Sequence, residues 1–117
     1  MNKRKTGALY EQRAAAFLRG RGYRILEQNY RCRAGEIDLI ARDGRYLVFV
    51  EVKYRHDGRL GEGVCAVDWR KQRRISRTAL WYLAEHRLGA ETPCRFDVVS
   101  VDGERVTLVQ DAFSFAG

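Results

Sequence analysis

The strongest constraint on the fold is an Asp-Gly pair between two strand-like segments. Residues 35–42 and 46–54 are rich in β-branched, leucine and aromatic residues, and Asp43-Gly44 lies between them. Asp-Gly in this setting is the strongest short-range indication of a tight β-hairpin. The hairpin also carries three charged side chains, although strands that build a core are usually apolar. They are Asp38, Glu51 and Lys53.

The hydrophobic pattern on either side of the hairpin predicts an α/β fold. The predicted elements cover residues 7–19 (helix), 23–30, 35–42 and 46–54 (strands), 68–86 (helix with its cap), and 95–101 and 105–109 (strands). Residues 55–67 contain three glycines and are expected to form a mobile loop. A helix between the third and fourth strands requires a crossover, which makes those two strands parallel. We therefore expect a mixed central β-sheet flanked by helices, in the order α-β-β-β-α-β-β.

The length and composition predict one domain. The chain has 117 residues, 45% of them hydrophobic, which suits a single core and leaves little room for a second. We therefore expect residues 1–117 to form one domain. No apolar run reaches the length of a membrane span, and charged residues interrupt the N-terminal apolar segment that a secretion signal needs. These features favour a cytoplasmic protein without a membrane partner.

The positive charge is concentrated in two regions. The net charge is +7, with nine basic and two acidic residues in 1–33, and six basic and one acidic residue in 70–87. The segments that follow each of these regions are net acidic. Basic regions on both sides of an acidic centre suit a polyanion held around a metal-binding site. An arginine-rich genome explains the preference for arginine over lysine, but it explains the clustering less well.

Arginines on the second predicted helix form one stripe. Four of them follow the i, i+3, i+4, i+7 spacing of a single helix face: Arg70, Arg73, Arg74 and Arg77. Solvated helix faces usually mix charges of both signs, whereas this stripe has no acid before Glu85. The planar guanidinium fork matches phosphate oxygens. The stripe therefore predicts contacts to a nucleic-acid backbone, and a solvated face is the alternative.

The charges of the hairpin converge at the end of its second strand. Glu51 and Lys53 continue a face that begins with apolar residues, so that face opens into a cleft. A tight turn brings Asp38 close to Glu51. Neighbouring carboxylates disfavour each other's ionised form, and a divalent cation such as Mg²⁺ or Mn²⁺ removes that conflict. A salt bridge at the strand end is the alternative for each residue alone, but desolvating three charges for structure alone is costly.

Alternation along the first strand of the hairpin predicts its two faces. One face would carry Glu36, Asp38 and Ile40, and the other Ile37, Leu39 and Ala41.

A fourth acid lies on the first predicted helix. Glu11 shares a helical stripe with three residues that would pack on the sheet: Ala14, Ala15 and Leu18. That stripe directs Glu11 toward the sheet, but the helix dipole also favours an acid near a helix start. Position alone leaves both interpretations open.

The spacing of these charges resembles a nuclease motif. Asp38 is followed, after twelve residues, by Glu51-Val52-Lys53. This is similar to the D…(D/E)-x-K motif of the PD-(D/E)XK nuclease superfamily, although Ile37 stands where the motif has proline. The segments GEIDLIARDG, LVFVEVKYR, RFDVVSVD and the closing DAF resemble the YraN-like family of small bacterial proteins. The similarity covers nearly the whole chain.

The resemblance implies a restriction-endonuclease-like fold and a relationship to the archaeal Holliday-junction resolvases. It implies that Asp38 and Glu51 bind metal and that Lys53 is the catalytic lysine. Glu11 would match the helix-borne glutamate of the resolvases, and a backbone carbonyl such as that of Val52 would complete the metal ligands. The expected activity is structure-selective, Mg²⁺- or Mn²⁺-dependent hydrolysis of phosphodiester bonds in DNA, with branched or junction DNA favoured. The likeness to resolvases also favours a homodimer.

The basic residues would hold the nucleic-acid backbone. They are Arg31, Arg33, Arg70, Lys71, Arg73, Arg74 and Arg77. Two alternatives stay open. One is a nucleic-acid-binding protein without catalytic activity on a nuclease scaffold. The other is a structural or partner-binding protein whose charges form salt bridges, and metal binding distinguishes it from the nuclease.

Overall fold

The chain forms a five-stranded mixed sheet with one helix packed on each face. The structure is a computed structural model that describes residues 3–55 and 67–117, with side chains described from 7 to 54 and from 67 onward. Its elements are α1 (Lys3–Gly20), β1 (Arg24–Cys32), β2 (Gly35–Asp43), β3 (Tyr46–Arg55), α2 (Trp69–Glu85), β4 (Cys94–Asp102) and β5 (Arg105–Phe113). Most of the expected glycine-rich loop, residues 56–66, lies outside the described residues. No described helix has the length and apolarity needed to cross a membrane.

The predicted order α-β-β-β-α-β-β is confirmed. The strands lie in the sheet in chain order, and all neighbours are antiparallel except β3 and β4. α2 forms the crossover that this parallel pair requires. The edge strand β5 extends beyond its predicted end because Phe113 still pairs with Phe96 of β4. The arrangement agrees with the restriction-endonuclease-like fold that the resemblance implies.

The β2–β3 turn differs from its prediction by one residue. Asp43 pairs with Tyr46 as the last rung of the hairpin, so the two turn residues are Gly44 and Arg45. Gly44 has a left-handed φ of 59°, which matches the type II′ turns that place glycine first. The β4–β5 turn repeats this pattern with Gly103 at a φ of 60°. In both hairpins the aspartate ends the strand and the glycine makes the turn.

Two apolar clusters hold the helices to opposite faces of the sheet. On the α1 face, Ala14, Ala15 and Leu18 are fully buried, as the predicted stripe requires. On the α2 face, Phe49 and Tyr82 pack edge to face with ring centroids 5.9 Å apart. A fully buried large apolar side chain contributes about 1.5–3 kcal/mol relative to an exposed one. The two clusters therefore fix both helices, and with them the residues that the helices bring to the sheet edge.

The alternation of β2 is interrupted at Asp38. Ile37 and Ile40 both pack in the α2-side cluster, whereas strict alternation would put them on opposite faces. The prediction that Ile37 shares a face with Leu39 is therefore wrong. The β2–β3 ladder ends at Leu39, and Asn29, which lies opposite Asp38 on β1, has a left-handed φ of 54°. Such an irregularity re-aims a side chain at the point where strand pairing stops.

A buried polar network joins β4 to the β2–β3 turn. Asp97 is fully buried, and its carboxylate accepts hydrogen bonds from Tyr23 Oη at 2.7 Å and Arg95 Nε at 2.9 Å. Arg95 also pairs with Asp43 at 2.8 Å. Burial raises the pKa of Tyr23 to about 12, so its hydroxyl stays a donor at neutral pH. These charges have partners within the protein, which is typical of a structural role.

Candidate active site

Asp38 and Glu51 come together where β2 separates from β3. The Oδ2 atom of Asp38 accepts a hydrogen bond from the Val52 N–H at 2.8 Å, beyond the point where the main-chain ladder ends. The Asp38 carboxyl also shares a hydrogen bond with Glu51. Glu51 is only 8% exposed although it carries a carboxylate. The structure thus brings the two predicted metal-binding carboxylates together.

Both carboxylates line a cavity of about 270 Å³ that the two helices help to form. α1 contributes Glu11, β2 also contributes Glu36, and α2 contributes Lys71. Four acidic residues therefore line the cavity: Glu11, Glu36, Asp38 and Glu51. Acids at this density are unfavourable unless protons or cations neutralise them.

Two acids of the cavity, Asp38 and Glu11, have raised pKa values. Burial raises the pKa of Asp38 from its ordinary 3.8 to about 9, and the hydrogen bond to Glu51 and the charge of that residue add to the shift. Burial also raises the pKa of Glu11, which a hydrogen bond with Asn29 partly offsets. Asp38 is therefore protonated at neutral pH in the metal-free protein and can donate its proton to Glu51.

Lys71 supplies a positive charge to the same pair. Its Nζ atom lies 2.5 Å from Glu51 Oε2. That oxygen makes no hydrogen bond to any group in the described part of the chain, so the contact is an ion pair without hydrogen-bond geometry. Lys71 lies in the first turn of α2 and lines the cavity.

Lys53, the predicted catalytic lysine, lies two residues beyond Glu51 on β3. Its Cα pairs with Ser100 of β4, and its side chain is half-buried. Alternation puts it on the same face of the sheet as Glu51. Among the described residues, the lysine that lines the cavity is Lys71 rather than Lys53.

The donors of this site fit a hard divalent cation. Carboxylate oxygens and backbone carbonyls are the ligands that Mg²⁺ and Mn²⁺ prefer. The N–H and C=O of one strand residue point toward the same neighbouring strand, so the Val52 carbonyl points toward β2, the strand that carries Asp38. Within the described ranges, no three His, Cys, Asp or Glu side chains are arranged to hold a metal. The site therefore offers Asp38, Glu51 and a carbonyl, with Glu11 in the same cavity, and Mg²⁺ usually keeps several waters.

The depression next to the cavity is lined by predicted nucleic-acid-binding residues. Arg31 and Arg33 from the end of β1 and the following turn lie there with Arg74 of α2. Arg74 packs over Gly35, where an added Cβ would lie 2.9 Å from the Arg74 Cγ atom. Arg31 is partly neutralised because it pairs with Glu36 at 3.2 Å. A basic surface thus adjoins the acidic cavity.

The arginine stripe of α2 lies on the outer face of that helix. Arg70, Arg74 and Arg77 are exposed, and Arg73 is half-buried. No acidic side chain in residues 7–54 or 67–117 forms an ion pair with any of the four. Within these residues the stripe keeps its positive charge, as contacts to a polyanion require.

Two residues of the site escape prediction from the sequence. Glu36 lines the cavity, and its only signal is that it precedes Asp38 by two positions on a strand. Asn29 bonds to Glu11 from a left-handed backbone position. Asparagine tolerates that conformation better than most residues, but nothing in the sequence marks this asparagine as the one that adopts it.

Comparison with known proteins identifies the family. Residues 10–101 match the model of the Uncharacterised protein family UPF0102. A UPF0102 protein of Lachnoclostridium phytofermentans is 50% identical over 117 residues, covering 100% of this chain and 99% of the relative. A UPF0102 protein of Syntrophus aciditrophicus is 54% identical over 116 residues, covering 96% of this chain and 91% of the relative. A UPF0102 protein of Symbiobacterium thermophilum is 55% identical over 116 residues, covering 94% of this chain and 97% of the relative. The YraN-like resemblance is thereby confirmed, and the chain belongs to the UPF0102 family.

Proposed function

We propose that this protein is a metal-dependent, structure-selective nuclease that hydrolyses phosphodiester bonds in DNA, with branched or junction DNA as the favoured substrate. The observation that carries the proposal is the adjacent pair of carboxyl groups, half-buried Asp38 and buried Glu51, in a cavity beside an arginine-lined depression. A structural pair would join opposite charges only, whereas two adjacent acids, with the pKa of Asp38 strongly raised, are typical of active sites.

The residues of the cavity have distinct roles in this proposal. Asp38, Glu51 and the Val52 carbonyl would hold Mg²⁺ or Mn²⁺, and Glu11 would hold a water or a second ion. The metal would polarise the phosphate and lower the pKa of a bound water. Lys53, on the strand face of Glu51, would orient the attacking water or stabilise the charge that develops on the phosphate. The likeness to the PD-(D/E)XK motif supports this assignment.

The basic residues would position the DNA strand. The depression lined by Arg31, Arg33 and Arg74 adjoins the acidic cavity, since Glu36 and Arg74 line both. A backbone held by these arginines would bring a phosphate to the carboxylates. Contacts of this kind recognise backbone shape and charge rather than base sequence, which supports structure-selective binding.

A second candidate function is nucleic-acid binding without cleavage. Two observations favour it: Lys71 already neutralises Glu51, and the described residues form no cluster of three metal-ligating side chains. Both candidates predict DNA binding by the arginines. Only the nuclease requires that the carboxylates bind a metal and that their loss abolishes cleavage.

Asp38→Asn should separate catalysis from stability. Asparagine can accept the Val52 N–H and donate to Glu51 as protonated Asp38 does, so the metal-free variant should match the wild type in unfolding free energy below about pH 4 and should be the more stable protein at pH 7, where unfolding of the wild type releases the proton of Asp38. It lacks the anionic oxygen that a metal needs, so cleavage should fall about a thousandfold or more. Thermal melts measure the change in stability. Cleavage assays with Mg²⁺ or Mn²⁺ on labelled junction, flap, duplex and single-stranded substrates measure the change in activity.

The matched control for this variant is Glu104→Gln, which neutralises an exposed acid in the β4–β5 turn and should leave cleavage unchanged. Full cleavage by Asp38→Asn would exclude the proposed metal centre. Loss of several kcal/mol of stability, with no stabilisation of the wild type by Mg²⁺, would assign Asp38 a structural role.

The pH dependence of stability and of metal binding should report the proton on Asp38. Its pKa is raised on folding from 3.8 to about 9, so the folded metal-free protein binds one proton more than the unfolded chain between these values. Its contribution to stability is therefore complete below about pH 4 and is lost as pH rises through about 9. Wild type should show this loss relative to Asp38→Asn. Parallel pH profiles would contradict the shifted pKa.

The same proton must leave when a metal binds. Mn²⁺ affinity should therefore rise with pH up to about 9, with about one proton released per ion at pH 7. Calorimetry in two buffers of different ionisation enthalpy measures the number released.

The double variant Arg73→Ala/Arg74→Ala tests the DNA-binding surface. It should weaken binding to all substrates similarly, and the dependence of log affinity on log salt should become shallower by about one unit for each phosphate that the variant no longer neutralises. Arg24→Ala/Arg45→Ala is the control, because it removes the same charge from exposed positions at the opposite end of β2 and β3. If both double variants change the salt slope equally, the stripe acts only through net charge.

A further inference from the structure

The ion pair between Lys71 and Glu51 joins a fixed partner to a movable one. Glu51 is held in the central strand β3, and its side chain is 8% exposed. The Lys71 side chain is 45% exposed and is attached to the first turn of α2. If the pair separates, Lys71 can move toward solvent while Glu51 stays in place.

The position of Lys71 in its helix is unfavourable for a cation. The N-terminus of a helix carries a partial positive charge, so basic residues are disfavoured in the first turn. The Asp68 side chain caps α2 by accepting a hydrogen bond from the Lys71 backbone N–H at 2.9 Å. Any residue with a backbone N–H at position 71 could donate this hydrogen bond, so it does not require a lysine. The charge of Lys71 is therefore explained by what its side chain contacts, and that contact is Glu51 Oε2.

The oxygen that Lys71 contacts is one that a metal would use. Glu51 Oε2 has no hydrogen-bond donor in the described part of the chain, and it faces the same cavity as Asp38. An ammonium 2.5 Å from this oxygen and a divalent cation bound to it compete, because both are positive and both draw on the negative charge of one carboxylate.

We propose that Lys71 is a built-in cation that fills the metal position of the metal-free protein, is displaced when the divalent ion binds, and then contacts the phosphate of the bound strand. This inference rests on the proposed nuclease function and names the regulation of that site. The displaced ammonium remains tethered to α2 beside Arg74, which lines the same cavity, so a phosphate drawn there meets two positive charges. Metal binding and DNA binding then assist each other, because DNA gives the displaced lysine a new partner.

An ordinary structural ion pair makes a different prediction. In that case Lys71 only neutralises Glu51, and its removal would leave a buried charge that weakens the fold and disorders the site. Metal affinity would then fall or stay the same. Competition for one oxygen predicts the opposite direction, since removing the competitor strengthens metal binding.

Calorimetric titration with Mn²⁺ at pH 7 distinguishes these cases. Lys71→Met and Lys71→Gln should bind Mn²⁺ about tenfold or more tightly than wild type, since a neighbouring charge typically shifts such an equilibrium by about one unit or more. Lys71→Arg keeps the competing charge and should stay close to wild type. Arg45→Met is the control for net charge, because Arg45 lies in the turn at the opposite end of β3.

The role after displacement is tested by DNA binding in Ca²⁺, which takes the same oxygen ligands. Fluorescence anisotropy with a labelled junction should show that Ca²⁺ increases the DNA affinity of the wild type more than that of Lys71→Met. An equal increase would remove the proposed phosphate contact.

The outcomes separate the inference from the function on which it rests. Equal or weaker Mn²⁺ binding by both neutral variants, with normal binding by wild type, overturns the role of Lys71 and leaves the metal centre intact. Absence of Mn²⁺ binding in wild type and in all variants overturns the metal centre itself, and the inference with it. If Lys71→Met does not fold, Lys71→Gln decides, because its amide can still donate a hydrogen bond to Glu51.

Discussion

The hydrogen bond from the Val52 N–H to the Asp38 carboxyl is the contact on which the rest of the site depends. It forms where the ladder between β2 and β3 stops, so a side chain takes a place that main-chain pairing would otherwise fill. This single replacement has three effects. It brings Asp38 to Glu51, it directs the Val52 backbone toward a carboxylate, and it leaves a gap in the sheet that residues of both helices line.

The surrounding fold supports an arrangement that is unfavourable by itself. β3 stays paired with β4 at Glu51 and packs against an apolar cluster on each face, so the Glu51 backbone is held beside Asp38. Two positive partners neutralise Asp38 and Glu51 in this structure: the proton on Asp38 and the ammonium of Lys71. Stability traded for a strained or charged site is common in active centres. The polar network around Asp97 differs, because there each acid faces Arg95.

The regular parts of the structure follow from the sequence, and the irregular part does not. Glycine turns and apolar periodicity predict the element order and the meeting of Asp38 with Glu51. Strict alternation, however, assumes an unbroken ladder, so it assigns Ile37 to the wrong face. Asn29 has a left-handed φ of 54° inside β1, which strand periodicity does not predict. The ion-pair partner of Glu51 is difficult to predict for a related reason. The motif spacing indicates Lys53, which is close in sequence. Lys71 contacts Glu51 only because the crossover places the start of α2 near the end of β3.

The measurement that tests the metal centre most directly is anomalous X-ray diffraction from crystals soaked in Mn²⁺. We expect a Mn²⁺ peak within coordination distance of the Asp38 and Glu51 carboxylates, with the Lys71 ammonium moved away from Glu51. A map without a Mn²⁺ peak at these carboxylates, in which Lys71 still contacts Glu51 at a Mn²⁺ concentration that supports cleavage, would contradict the proposed centre.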